Sequence, residues 1–272
     1  VAALFSEEVV IPASAADAVW LARDLAALMD EIETEGSDWT KLGELVTGNL
    51  AGWWQVTLDF LQIVTAAWPK LLEERGRSNP AAHRSAQIRA EARRLARNPP
   101  RGPVVAAGST GSIPATAELL SVISRLERGP VVLPGLDRAI DGRSWAAISE
   151  ATPPPSVLGH PQYGLSRLIG KIGIAREDVV EIGAARPALA LRASILNEAL
   201  RPAETTDLWA AGRASLDGLQ AIEALSGLTL LEAANERDEA IAIAIALRLA
   251  AAEPGRTAAL VTGDRNLARR VS

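Results

Sequence analysis

The sequence predicts an α/β fold, in which a helical region precedes two units of alternating strands and helices on a parallel sheet. Three observations support this class. Residues 14–97 carry apolar side chains mostly at helical spacing. Residues 103–137 read as strand, helix and strand, the order of a parallel βαβ unit. Residues 227–272 alternate strand and helix again, with strands expected over 228–231 and 258–261.

The helical region begins at a capping signal. Ser14 is followed three residues later by Asp17, a pairing typical of the first turn of a helix. The sequence Gly36-Ser37-Asp38 is expected to end that helix. Further helices are expected over 40–49, 51–72 and 80–97, and a strand within 1–12.

The composition of the 272 residues excludes several kinds of site. The absence of cysteine rules out disulfides, cysteine-ligated zinc and iron–sulfur clusters within this sequence. A net charge of -5 argues against a surface that is basic throughout but is compatible with a local basic stripe. No apolar run reaches the roughly 18 residues that a membrane span needs. Because the sequence lacks an initial Met and ends in a starting helix, we expect an internal piece of a longer protein.

A glycine-containing turn joins the first predicted strand to its helix in PVVAAGSTGSIPATAELL (103–120). Such a turn, here Gly108, Ser109, Thr110 and Gly111, can hold phosphate on its backbone amides. A working ATP site also needs the loop GxxxxGK[ST] and an acid at the end of the strand, and this sequence has neither. The sequence favours a tight turn, and a residual anion site is the alternative.

The last helix of the helical region is strongly basic. Three of its arginines, Arg89, Arg93 and Arg97, fall at i, i+4 and i+8 and therefore along one face. Such a row could follow a phosphate backbone. The alternative is a solvated face with Glu91 and other acids as partners. The candidate DNA-binding arginines are Arg84, Arg89, Arg93, Arg94, Arg97 and Arg101.

Tryptophans in the helical region offer a second kind of DNA contact. Trp53 and Trp54 are the candidates for stacking on unpaired bases. Tryptophans at helical spacing are more often part of a core, and Trp54 shares a face with Leu58 and Leu61. Both interpretations stay open at this point.

Nothing in the sequence predicts a catalytic centre. Ser109, Thr110 and Ser112 are not surrounded by a GxSxG motif. The two histidines, His83 and His160, have no recognisable triad partner or clustered acids. We therefore expect no catalytic residue and no metal site in this chain.

The segment GPVVAAGSTGSIPATAELLSVISRLERGPVVLPGLD (102–137) resembles the AddB subunit of bacterial AddAB helicase–nucleases, in its alphaproteobacterial form. The resemblance is strong over 102–272 and weaker over 13–100. Four more segments carry it: HPQYGLSRLI (160–169), LNEALRPAETTDLW (196–209), LTLLEAANERDEAIAIAIALR (228–248) and TAALVTGDRNLARRV (257–271).

The resemblance implies a P-loop NTPase-type, superfamily 1 helicase-like fold with two RecA-like lobes and a helical insertion. The first lobe would comprise 1–12 and 101–202, and the helical insertion 13–100. A linker and the truncated start of the second lobe would occupy 203–272. The glycine turn would then stand where an active helicase keeps its aspartate–glutamate pair, so the resemblance implies an inactivated ATPase site.

The resemblance also implies a function in recombinational repair of DNA double-strand breaks. The chain would hold and scan DNA and contact an AddA-type helicase–nuclease subunit in the bacterial cytoplasm, associated with the nucleoid in use, without a membrane. No cofactor is expected in this chain, whereas the parent complex would use ATP, Mg²⁺ and an iron–sulfur cluster outside it. Two alternatives stay open: an active ATPase helicase module whose lysine loop lies upstream, and a purely structural interaction domain.

Overall fold

The computed structural model describes residues 14–39, 41, 54, 57–58, 60–61 and 63–272. The structure is 61% helical and only 2% strand, and the described residues form one two-stranded parallel sheet. The predicted fold class, a RecA-like α/β fold with a parallel-sheet lobe and the start of a second lobe, is therefore wrong. The chain is mostly helical.

The elements follow in chain order. The first helices are α1 (Ala15–Glu35), α2 (Trp68–Glu74), α3 (Pro80–Arg97) and α4 (Pro114–Ile123), with a π-helical turn at Ile63–Ala67. The strands are β1 (Ala106–Ala107) and β2 (Val131–Val132). The later helices are α5 (Gly142–Ser149), α6 (Pro155–Leu158), α7 (Tyr163–Ile172), α8 (Pro187–Ala199), α9 (Trp209–Ala214), α10 (Gly218–Ala224), α11 (Glu236–Ala252) and α12 (Arg265–Val271). Short 3-10 helices lie at Arg176–Asp178 and Ala203–Leu208.

Local signals in the sequence correctly predicted several helix ends. Ser14 caps α1, where its Oγ accepts a hydrogen bond from the Asp17 N–H at 3.2 Å. Gly36 ends α1 in the left-handed region, with φ 63°. The predicted helix over 80–97 is confirmed as α3. The predicted strand within 1–12 and the predicted helix over 40–49, except for position 41, lie outside the described residues.

The predicted βαβ unit of residues 103–137 is present on a small scale. β1 and β2 pair in parallel, with Ala106 opposite Val131 and Ala107 opposite Val132. Helix α4 forms the connection between the two strands, as a parallel pair requires. The pairing covers two residues on each strand, so it forms a minimal sheet and not the centre of a larger one.

The strands predicted over 228–231 and 258–261 do not form. Both segments lie outside any strand, and Leu230 and Val261 are 86% and 94% exposed. Parallel strands are stable when neighbours pair with them and helices cover both faces. β-branched and apolar residues favour a strand only in that context, and the described residues supply no such neighbour here.

The chain divides into two compact units. The first contains the described residues up to Arg186 together with Ala193–Ser215. In it α3 packs against α1 and α4, and α7 packs against both α4 and α5. Its buried clusters are Ala117 with Leu120 and Leu168, and Ile140 with Ile148 and Val157.

The second unit contains Pro187–Arg192 and Leu216–Ser272. In it α11 packs against α12, and Arg270 forms an ion pair with Glu236 at the start of α11.

The division of the chain into 1–12, 13–100, 101–202 and 203–272 stays a prediction. Within the described residues, no helix combines the length and hydropathy needed to cross a lipid bilayer.

Candidate functional site

Helix α3 turns one face into the first unit and presents the other to solvent. Its buried residues are Ala81, Ser85, Ala92 and Leu95, which recur at helical spacing. Asn79 caps the helix through its side-chain oxygen, which accepts from the Ala81 N–H at 3.0 Å. Because this face of α3 is buried, only the side chains on the opposite, exposed face can contact a ligand.

Two arginines one turn apart, Arg93 and Arg97, stand on the solvent face of α3. Both are exposed, and neither has an acidic partner within the residues that the structure describes. Arg84, on another side of the helix, and Arg101, just beyond its end, are also exposed and unpaired in the same part of the chain. These four guanidinium groups remain available for an external anion.

The other two candidate arginines of α3 are engaged within the chain. Arg94 donates to both carboxylate oxygens of Glu91, at 2.7 and 2.6 Å. These hydrogen bonds lower the pKa of Glu91 and raise that of Arg94. Arg89 forms an ion pair with Glu118 of α4, with 3.4 Å between Arg89 Nε and Glu118 Oε2. The predicted row of Arg89, Arg93 and Arg97 is therefore divided, because Arg89 faces an acid and the other two face solvent.

A further basic residue, Arg128, lies beside the segment that follows α3 and was not singled out from the sequence. Arg128 is exposed, and its carbonyl accepts a hydrogen bond from the Val104 N–H at 2.9 Å. This bond joins the Arg128 backbone to Val104, which follows Arg101 by three residues along the chain. The basic segment RLERG (125–129) contained the signal, but only the tertiary pairing relates it to α3.

Of the two tryptophan candidates for base stacking, the structure describes only Trp54. Trp53 lies outside the described residues. Trp54 and Leu58 are half-buried and Leu61 is buried, an arrangement that favours a core position for Trp54 over base stacking. Base stacking by Trp53 and Trp54 stays a prediction.

The glycine turn is packed against helix α7. Gly108 and Gly111 both adopt positive φ, 79° and 65°, and Ser109 Oγ accepts from the Gly111 N–H at 3.2 Å. A Cβ at Gly111 would lie 3.0 Å from Leu168 Cδ1, closer than side chains normally approach. The turn therefore has a structural role that requires glycine at position 111.

Gly111→Ala is expected to destabilise the protein by about 2–3 kcal/mol, from the left-handed backbone and from the contact with Leu168. Gly108→Ala is the matched control, since it has the same backbone strain but no atom within 4 Å of the added methyl group. Its expected cost is about 1 kcal/mol. Urea unfolding followed by circular dichroism measures both, and equal costs would contradict the packing of Gly111 on Leu168.

A cleft of about 880 Å³ opens beside the glycine turn in the first unit. Its walls come from the turn, from α7 and from the segment after α7. The lining residues with polar or aromatic side chains are Glu35, Ser112, Trp145, Ser149, Tyr163, Ser166, Arg167, Lys171, Arg176 and Glu177. Three cations and two carboxylates therefore face one cavity.

Arg176 is a fixed part of that wall. Its side chain is buried, and Nη1 donates to the Ile140 carbonyl at 2.8 Å. The other guanidinium nitrogens donate to Glu177, and the group lies 4.8 Å from the Trp145 ring centroid. These contacts use most of its hydrogen-bonding capacity, and the Arg176 charge is paired with that of Glu177, so Arg176 contributes shape to the wall more than free donors.

A polar network surrounds the N-terminus of α5. Arg201 donates to Asp141, the N-cap of α5, and to Glu198, both at 2.5 Å. Burial raises the pKa of Asp141, but hydrogen bonds from Ser144 and Arg201 outweigh it and lower the pKa to about 2. Every partner lies within the fold, so we assign this network to stability.

His160 lies in the loop between α6 and α7, with one local and one distant hydrogen-bond partner. Its Nδ1 accepts from the Gln162 N–H at 3.1 Å, and its Nε2 lies 2.9 Å from the Leu200 carbonyl. Burial lowers its pKa against the opposing effect of that carbonyl. This arrangement suits a neutral imidazole that donates from Nε2. In the described part of the chain, no three His, Cys, Asp or Glu residues are grouped to hold a metal ion.

Comparison of the chain with protein-family models, with curated proteins and with solved structures found no match. The resemblance to the AddB family therefore stays a prediction that rests on the quoted segments.

Proposed function

We propose that this chain is a non-catalytic DNA-holding part of an AddB-type subunit that acts in recombinational repair of double-strand breaks. The observation that carries the proposal is the pair of exposed arginines on α3, Arg93 and Arg97, which have no ion-pair partner in the described part of the chain. In a chain of net charge -5, two exposed guanidinium groups on one helix face, without an ion-pair partner among the described residues, provide a local positive surface.

The chemistry of this surface suits phosphate more than bases. Guanidinium groups bind phosphate oxygens through two parallel hydrogen bonds. Residues four apart on a helix are separated by about 6 Å along its axis, so Arg93 and Arg97 can engage different phosphates of one strand. Contacts of this kind hold DNA in place without reading its sequence.

In this proposal the chemistry of repair belongs to other polypeptide segments. An AddA-type partner would hydrolyse ATP with Mg²⁺, and nuclease and iron–sulfur functions would lie outside this chain. This chain would contribute the phosphate-binding arginines of α3.

The double substitution Arg93→Ala with Arg97→Ala is expected to weaken binding of a labelled forked DNA about tenfold or more at low salt. The slope of log affinity against log salt concentration is expected to flatten by about 1.5–2, because two phosphate contacts no longer release counterions. Fluorescence anisotropy at several salt concentrations measures both quantities.

The matched control for net charge is Arg237→Ala with Arg248→Ala. These two arginines are also helical, exposed and unpaired among the described residues, and they belong to α11. The control is expected to keep the wild-type slope. A double variant of α3 with unchanged affinity and slope would remove this helix from the proposed function.

A further inference from the structure

We propose that the cleft beside the glycine turn binds a phosphoryl group, held by Lys171 and Arg167 of α7 and by the hydroxyl of Ser112. The turn lacks a lysine of its own, and the neighbouring helix supplies the cations. This site is separate from the arginines of α3, and it does not depend on the function proposed for them.

Helix α7 contacts the glycine turn directly. Gly164 and Leu168, four residues apart on α7, lie against the turn. A Cβ at Gly164 would lie 3.9 Å from Thr110 Cβ, and Leu168 approaches Gly111 as described above. Gly164 therefore faces Thr110 at an ordinary contact distance, and the turn and the helix form one wall of the cleft.

Helix α7 also carries two cations that line the cleft. Arg167 and Lys171 follow Gly164 and Leu168 by three residues each, so they occupy the adjoining face of the helix. Both line the cleft, together with Gly111 and Ser112. The helix thus brings a guanidinium and an ammonium group to the same cavity as the turn.

Within the described residues, the polar groups of Lys171, Arg167 and Ser112 have hydrogen-bond donors without an acceptor. Lys171 is exposed, and its ammonium group has no partner in the part of the chain that the structure describes. Arg167 donates one long hydrogen bond, to the Glu150 carbonyl at 3.3 Å, and lies 6.0 Å from the Tyr163 ring centroid. Its other N–H groups have no acceptor among those residues, nor has the exposed Ser112 hydroxyl.

The charges of the cleft favour an anion. The carboxylate of Glu177 is engaged by Arg176, which leaves Glu35 at the end of α1 as the remaining acid of the lining. The two positive charges of Arg167 and Lys171 therefore exceed the single negative charge of Glu35. Ammonium, guanidinium and hydroxyl donors around a cavity suit the several acceptor oxygens of a phosphoryl group. Such a group could belong to a free nucleotide or to the phosphorylated end of a DNA strand.

Lysine acetylation of the full chain tests the site directly. The sequence has three lysines, at 41, 70 and 171, and Lys70 of α2 is exposed and serves as an internal control. We expect the acetylation rate of Lys171 relative to Lys70 to fall at least about fivefold with saturating magnesium-free ATP or with a 5′-phosphorylated oligonucleotide. Mass spectrometry of the digested protein measures this ratio.

The probes distinguish the two sources of the phosphoryl group. Protection by ATP indicates a nucleotide, and protection by the 5′-phosphorylated but not the 5′-hydroxyl oligonucleotide indicates a DNA end. Lys171→Gln is expected to weaken binding of the protecting probe about tenfold, whereas Lys70→Gln leaves it unchanged. The Arg93→Ala, Arg97→Ala variant is expected to keep the protection, which separates this site from the α3 surface. An unchanged Lys171 to Lys70 ratio with every probe would overturn the proposal.

Discussion

Leu168→Ala is expected to lower the free energy of unfolding by about 2–5 kcal/mol, the largest effect of any single substitution considered for this chain. Leu168 is 1% exposed and packs with Ala117 and Leu120 of α4. It also closes over Gly111, so its removal leaves a cavity between the helix and the glycine turn. The two backbones are fixed by their other contacts and can collapse only partly into that space.

Urea unfolding followed by circular dichroism measures the loss. Leu158→Ala provides the matched control, because Leu158 is 54% exposed and the same atoms are removed at the surface. The control is expected to stay within about 0.5 kcal/mol of the wild type. Similar losses in the two variants would show that Leu168 does not join α7 to the turn.

Arg201→Ala is expected to destabilise the protein by about 2–3 kcal/mol. The Arg201 side chain is 8% exposed and neutralises two carboxylates, Asp141 and Glu198, which are 38% and 26% exposed. Removing one partner of a fully buried ion pair costs about 3–5 kcal/mol, and the partial hydration of these carboxylates reduces that cost. Arg143→Ala is the control, since Arg143 forms an exposed ion pair with Asp207, of the kind worth about 1 kcal/mol or less.

The stability provided by Asp141 is expected to depend on pH. Its pKa falls from the usual 3.8 to about 2 in the folded state. A carboxyl with a depressed pKa contributes its full stability above the unfolded value, and this contribution is lost as the pH falls from about 4 to about 2. The difference in unfolding free energy between wild type and Arg201→Ala should shrink over this interval. A difference that stays constant down to pH 2 would contradict the charged pair.

The features that sequence analysis predicted correctly depend on neighbours a few residues apart. The cap at Ser14 and the stop at Gly36 are decided within one turn of helix. The bounds of α3 follow from Asn79 and Pro80 at its start and from the Asn-Pro-Pro sequence after its end. Local hydrogen bonds and backbone preferences determine such positions, so one sequence is enough to predict them.

The features that sequence analysis missed depend on distant neighbours. The segments 228–231 and 258–261 have strand composition, but strands also require pairing partners, and sequence patterns do not supply these. Helical spacing placed Arg89 beside Arg93, and only the packing of α3 on α4 revealed its partner Glu118. The same reason explains why Lys171 was not related to the glycine turn, since 60 residues separate it from Gly111 along the chain.

The salt dependence of DNA binding by the wild-type chain tests the central claim most directly. If Arg93, Arg97 and Arg101 each contact a phosphate, log affinity should fall linearly with log salt concentration, with a slope of about -2 to -3. Fluorescence anisotropy with forked DNAs of different sequence should give the same slope for each. Absence of binding at low salt, or affinity that does not change with salt, would contradict a DNA-holding function for this surface.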